Sequence, residues 1–297
     1  YTVSEKWSDM ASRAGGSVKG GVLYRLGRYS KFYANAAFYS RVPYACVFFS
    51  NGNNEISRDI SNERNTLGEI GYRLACNTFG AEITGYAALW KNKALLSSPY
   101  STIEEDPVKY MVKGLDAFHY GLEADLWWSP ERFLRLDAFA SVGDWRWKND
   151  VTATIYDPTT LQPMGNVNVY ADGLHVGDAP QTQIGASVRL SLTPGLDIRA
   201  EWSWNDRYWA DFDPVSRTDP EDREDSYRIP SYHLFNVGVK WTGSIRKMGI
   251  VLFLNANNIA DARYIERSKD GAGHDRATLT GYWAEWRNLN FGIRLML

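Results

Sequence analysis

The chain has 297 residues and a formal net charge of -2, so it carries no basic surplus to neutralise nucleic-acid phosphates and nucleic acid is excluded as a partner. No apolar run of about 18 residues exists to form a transmembrane helix, no N-terminal signal peptide is visible, and the mean hydropathy is -0.40. Yet 12 Trp and 18 Tyr suit the aromatic girdles of a membrane–water interface.

Alternation with a period of two places successive side chains on opposite faces of a sheet. It predicts strands near 18–26, 31–40, 66–75, 79–91, 115–128, 132–146, 181–192, 196–209, 231–242, 248–260 and 287–297. The first, third, fifth, seventh and ninth lead into tight turns at Gly27–Ser30, Cys76–Thr78, Ser129–Glu131, Thr193–Gly195 and Gly243–Lys247. The other connections are long and read as structureless: 41–65, 92–114, 147–180, 210–230 and 261–286. Short turns at one end and long loops at the other are the organisation of an outer-membrane barrel. A compact soluble domain rarely contains so many long loops.

The faces can be read strand by strand. Leu134, Leu136, Ala138, Ala140 and Val142 oppose Phe133, Arg135, Asp137, Phe139 and Ser141. Ile184, Ala186, Val188 and Leu190 oppose Gln183, Gly185, Ser187 and Arg189, and Leu196, Ile198, Ala200, Trp202 and Trp204 oppose Asp197, Arg199, Glu201, Ser203 and Asn205. In the last strand Leu289, Phe291, Ile293, Leu295 and Leu297 oppose Asn290, Gly292, Arg294 and Met296. The apolar faces carry no charge, as lipid requires, and the polar faces carry both signs, as a wet or plugged lumen allows. The fold class expected is all-β, an antiparallel transmembrane β-barrel. Cys46 and Cys76 fall at opposite ends of it, too far apart to form a disulfide.

Single-chain bacterial barrels have an even number of strands with both ends periplasmic. About eleven strands is odd, so residues 1–297 are expected to be the C-terminal portion of a longer protein.

Nine segments carry a family resemblance in their order: VKGG (Val18–Gly21), YSRVP (Tyr39–Pro43), SNERNTLGEIGYRL (Ser61–Leu74), GYAALWKNK (Gly85–Lys93), GDWRW (Gly143–Trp147), VGDAPQTQ (Val176–Gln183), YWADFDP (Tyr208–Pro214), PSYHLFNVGVKW (Pro230–Trp241) and LNANNIADARYI (Leu254–Ile265). Together they resemble the C-terminal half of TonB-dependent outer-membrane receptors of the kind common in Bacteroidetes. The resemblance implies a barrel of about 22 strands closed by an N-terminal plug, of which this chain would supply half the wall. The implied partners are outer-membrane lipid, the plug and remaining strands, the TonB system acting through the plug, and an extracellular ligand such as a siderophore, cobalamin or glycan. The implied location is the outer membrane. One departure is Leu297, where the family usually ends in Phe or another aromatic.

Candidate ligand-binding residues lie in the long loops. Trp145, Trp147, Tyr208 and Trp209 fall at the extracellular ends of two outgoing strands, where they could stack on a ligand ring or anchor the interface; the anchor role is the expectation. Arg146 lies between two of these Trp residues. The loop from Ala210 to Asp225 holds Asp211, Asp213, Asp219, Glu221, Asp222, Glu224 and Asp225. It fits no EF-hand spacing and reads as solvated. The ligand candidates are therefore Trp145, Arg146, Trp147, Trp209, Asp211 and Asp213.

No metal, cofactor or catalytic residue is expected. His119, His175, His233 and His274 show no metal-ligand spacing, and no hydrolase or nucleotide motif is present. His175 near Asp178 and His274 near Asp275 are the nearest approach to a hydrolytic pair, and family order argues against it. The expected function is that of a receptor barrel for energised uptake; the alternative is an unplugged, porin-like diffusion channel.

Overall fold

The computed structural model describes residues 8, 10–49, 56–57, 60–96, 101–103, 106–246 and 248–296. Leu297 and Lys247, the ends of an expected strand and an expected turn, lie outside these residues, as do parts of the loops 41–65 and 92–114.

Eleven strands form one antiparallel path in chain order. They are β1 (Gly16–Leu26), β2 (Ser30–Arg41), β3 (Glu63–Ala75), β4 (Phe79–Leu96), β5 (Asp106–Glu131), β6 (Leu134–Trp147), β7 (Thr182–Thr193), β8 (Leu196–Asp206), β9 (Tyr232–Ile245), β10 (Met248–Asn257) and β11 (Asn288–Met296). Each expected strand is found, and each pairs with the next. The sheet is an open stretch of barrel wall: β1 and β11 do not pair with one another among the described residues.

The register holds the expected faces in line. Leu122 lies opposite Val142, Ala138 opposite Ala186, and Ala186 opposite Trp202, all on the apolar face. That face is bare in the isolated chain: Phe291 is 82% exposed and Val22 74%. An apolar surface of this extent requires lipid. On the polar face Arg135 pairs with Asp137 at 2.7 Å, Arg73 with Glu82 at 3.3 Å, and Arg199 with Glu201. Cys46 and Cys76 are free thiols.

Two boundaries differ from the sequence reading, each for a local reason. The hairpin expected at Ser129–Glu131 turns instead at Arg132 and Phe133, because the pairing slips between Trp128 and Glu131 and carries the strand past Pro130. β8 stops at Asp206, since Arg207 adopts φ 50°; Tyr208–Trp209 then pairs with Arg228–Ile229.

The largest difference is at 92–114 and 147–180, which are folded. β4 and β5 run 18 and 26 residues, longer than the about 9–11 that a tilted strand needs to span a bilayer. Between them the register shifts around Lys93, where Asn92 (φ 59°) and Gly114 (φ 82°) take the left-handed conformation. Polar side chains satisfy the interrupted ladder. Asn149 accepts from the Asp116 amide (2.8 Å) and donates to the Gly114 carbonyl (2.8 Å), and Asp116 accepts from the Asn92 amide (3.0 Å). Beyond this break Val108, Tyr110 and Val112 resume the alternation and pack against a hairpin of Val151–Tyr156 and Pro163–Val169. The main hydrophobic core of the described chain is therefore this cap at the long-loop end of the wall, where Leu115, Ala117, Trp147, Ala153, Val169, Leu174 and Phe212 are closed from solvent.

Candidate functional site

β6 sorts its C-terminal side chains by parity. Trp145 and Trp147 continue the polar, lumenal face of Arg135 and Asp137, while Asp144 and Arg146 continue the lipid face of Leu134 and Leu136. On the lumenal side the Trp145 indole donates to the Tyr86 hydroxyl at 2.9 Å. His119 lies between Trp90 and Trp145, with ring centroids 4.3 Å and 5.5 Å away. The Lys93 ammonium stands 4.5 Å from the Trp90 ring and 5.9 Å from Trp147. Burial pulls the Lys93 pKa below its ordinary value.

The outer side is a closed network. Arg146 pairs with Asp144 at 3.1 Å and donates to the Gly173 carbonyl. His175 contacts Asp225 through Nδ1 (2.9 Å) and Asp144 through Nε2 (3.3 Å). Its ring stacks on Trp209 at 3.6 Å, and Arg207 and Arg228 flank the same indole. So the four aromatics do not form one cluster or a girdle of anchors. Trp147 is in the cap core, edge-on to Phe212, and Trp209 is buried against a histidine.

The acidic loop is solvated only in part: Asp219, Glu221 and Glu224 are exposed, while Asp211, Asp213, Asp222 and Asp225 are half-buried. Three of the half-buried carboxylates find cations, most of them remote in sequence. Asp213 pairs with Lys269 (3.2 Å), Asp222 with Arg217 (3.0 Å) and His274 (2.9 Å), and Asp225 with His175. Arg217 is fully enclosed and also bonds Asp270 at 2.9 Å; His274 bridges Asp270 and Asp222. Asp213 accepts from the Val215 amide, and Phe212 fixes the loop to Trp147. The sequence-adjacent His175/Asp178 and His274/Asp275 pairs do not form, since Asp275 caps its own turn at Ala277 and Thr278.

Asp211 and Asp213 share a cavity of about 520 Å³ with Tyr110, Asp178, Ser268 and Lys269. The segment enters because Gly177 lets two backbones touch: a Cβ there would lie 2.5 Å from Asp211 Cα. The Asp211 amide donates to the Ser268 carbonyl, and the Asp270 amide to that of Asp211. Burial, with Asp178's charge added, pushes the Asp211 carboxyl up to about 6, against the pull of Lys93 and Lys269. Of the six candidates, Asp211 and Asp213 line this cavity, Trp145 faces the lumen, and Arg146, Trp147 and Trp209 are engaged in the network and core. Tyr110, Ser268 and Lys269 were not singled out by sequence, and Asp178 was noted only as a neighbour of His175; the VGDAPQTQ segment around it was the available signal.

No protein-family model matches the chain, and no curated protein does. Solved structures do match. The siderophore receptor PiuA from Acinetobacter baumannii aligns with TM-score 0.61 at 16% identity, over 93% of this chain and 35% of that one. The copper transporter OprC gives 0.63 at 14%, over 94% and 39%. The ferric citrate transporter FecA gives 0.59 at 16%, over 94% and 38%.

The fold is that of a stretch of antiparallel β-barrel wall like those of these receptors and transporters. The chain spans about a third of the length of the solved structures it matches.

Proposed function

We propose that this chain is the C-terminal half of the barrel of a TonB-dependent outer-membrane receptor, of the Bacteroidetes type that its motif order resembles. It supplies lumen wall and an extracellular cap, and works with a plug, the remaining strands and the TonB system. The observation that carries the reading is the packing of the long connections into a charged cap. Phe212 packs on the lumenal face of Trp147, and the Asp211 cavity opens beside it. A passive pore gains nothing from a packed, charged cap on its wall. A receptor needs such a surface to hold ligand before transport. The receptors and transporters among its structural neighbours support the same reading and give no support to an enzyme. The ligand candidates are Asp211 and Asp213 in the cavity and Trp145 on the lumenal wall.

The test is conductance and uptake with the full-length protein. Reconstituted in a planar bilayer, it is expected to hold no open channel, and cells are expected to lose its uptake activity when inner-membrane energy is dissipated. A steady open-channel conductance with uptake indifferent to that energy would establish the porin-like alternative.

A further inference from the structure

The cavity beside Asp211 holds two carboxylates without an ion pair. Four carboxylates line it, from Asp178, Asp211, Asp213 and Asp270, together with Arg267 and Lys269, and the Arg267 charge acts on Asp178 without pairing with it. Two are matched: Asp213 by Lys269, and Asp270 by Arg217 and His274 behind the wall. Asp178 and Asp211 form no ion pair among the described residues; one oxygen of Asp178 accepts the Ser268 amide at 3.2 Å. An independent observation marks the same place. Ser268 is only 5% exposed, lines the cavity, and its hydroxyl has no hydrogen-bond partner among the described residues. Buried hydroxyls ordinarily have one. Tyr110 and Tyr282 add aromatic surface to the lining, and the volume of about 520 Å³ suits a small organic group.

We propose that this cavity binds the cationic group of an incoming ligand, an amidinium, guanidinium or ammonium, with Asp178 and Asp211 as counter-ions and the Ser268 hydroxyl as a hydrogen-bond acceptor. The proposal deepens the receptor reading and rests on it for the source of the ligand. The chemistry is direct. A planar cation donates to both carboxylates with charge assistance, and its face contacts a tyrosine ring. Among the described residues the charges of Lys93 and Lys269 act on Asp211, and that of Arg267 on Asp178, without an ion pair to either, and an anionic ligand would be repelled by both acids.

The test uses full-length protein in detergent and isothermal titration with benzamidine, its neutral isostere benzamide, and benzoate. Benzamidine is expected to bind at least about tenfold tighter than benzamide, and benzoate not at all. Asp211→Asn and Asp178→Asn are each expected to weaken benzamidine about tenfold, and Asp219→Asn, in the same loop but outside the cavity, to leave it unchanged. In the unaltered protein, benzamidine affinity is expected to fall as the pH drops through about 6, where Asp211 takes up a proton. That profile needs no variant to fold. Equal binding of benzamidine and benzamide, preference for benzoate, indifference to both cavity substitutions, or no binding at millimolar benzamidine would each overturn the proposal. Charge-selective binding in a protein that proves to be an open channel would leave the cavity assignment standing and remove only the receptor reading.

Discussion

The wall and the cap of this chain are stabilised in opposite ways. In the wall, apolar side chains point outward and remain bare until lipid covers them; the backbone ladder supplies the order, and few side chains are enclosed. In the cap, apolar and charged groups alike are enclosed by protein, as in a soluble domain. A substitution should therefore be judged by the medium its side chain meets. In the wall that medium is lipid or lumenal water, and in the cap it is a packed interior with specific charge partners.

The sharpest way to break the comparison is Arg217→Ala. The guanidinium is wholly enclosed and holds Asp222 and Asp270, so its loss leaves the buried Asp270 and the half-buried Asp222 with His274 as their one remaining cationic partner among the described residues. The expected cost is about 3–5 kcal/mol, confined to the cap. Limited proteolysis should then cut in 210–230 and 261–286 while the barrel keeps its heat-modifiable migration on gels. Loss of the wall together with the cap would show that the two regions fold as one unit.

A smaller effect separates the two faces of the wall. Ala186→Arg puts a charge on the lipid face between Ala138 and Trp202, at an expected cost of about 2–4 kcal/mol near the midplane. Ser187→Arg, one residue along, faces the lumen directly between Asp137 and Glu201, and should be neutral or slightly stabilising. Urea titration in lipid vesicles measures both. Equal costs would contradict the assignment of faces.

The same contrast explains what the sequence could disclose. Period-two alternation in Leu134–Val142 or Leu196–Trp204 is a property of neighbouring residues, so all eleven wall strands were legible, with ends wrong by a few positions. The cap was not. Val108, Tyr110 and Val112 alternate too, but the break at Asn92 and Gly114 hid their continuity with the membrane strand, and Asn149, which repairs that break, lies more than thirty residues away. The acidic loop read as solvated because its partners His175, Lys269, Asp270 and His274 come from two other loops. Parity alone could have placed Trp145 and Trp147 on the lumenal face. Nothing local marks Ser268.

Asp211 gives the smallest and most discriminating test. Its carboxyl is neutral below the ordinary value of 3.8 in both folded and unfolded chains, so it costs nothing there. Between that value and about 6 the unfolded chain ionises and the folded cap resists. Above about 6 the full penalty for a buried charge is present, because the folded value is the raised one. Asp211→Asn removes this penalty. It should stabilise the cap by about 1–2 kcal/mol at neutral pH, allowing for partial exposure, with the gain vanishing in acid. Hydrogen exchange of the Asp211 and Asp270 amides, followed against pH, reads it directly. A carboxylate kept at a cost to stability is expected where a site serves binding rather than folding. If the Asn variant is instead less stable at neutral pH, Asp211 acts as a structural partner of Lys93 and Lys269, and the cap is a soluble-style core throughout with no residue held back for ligand.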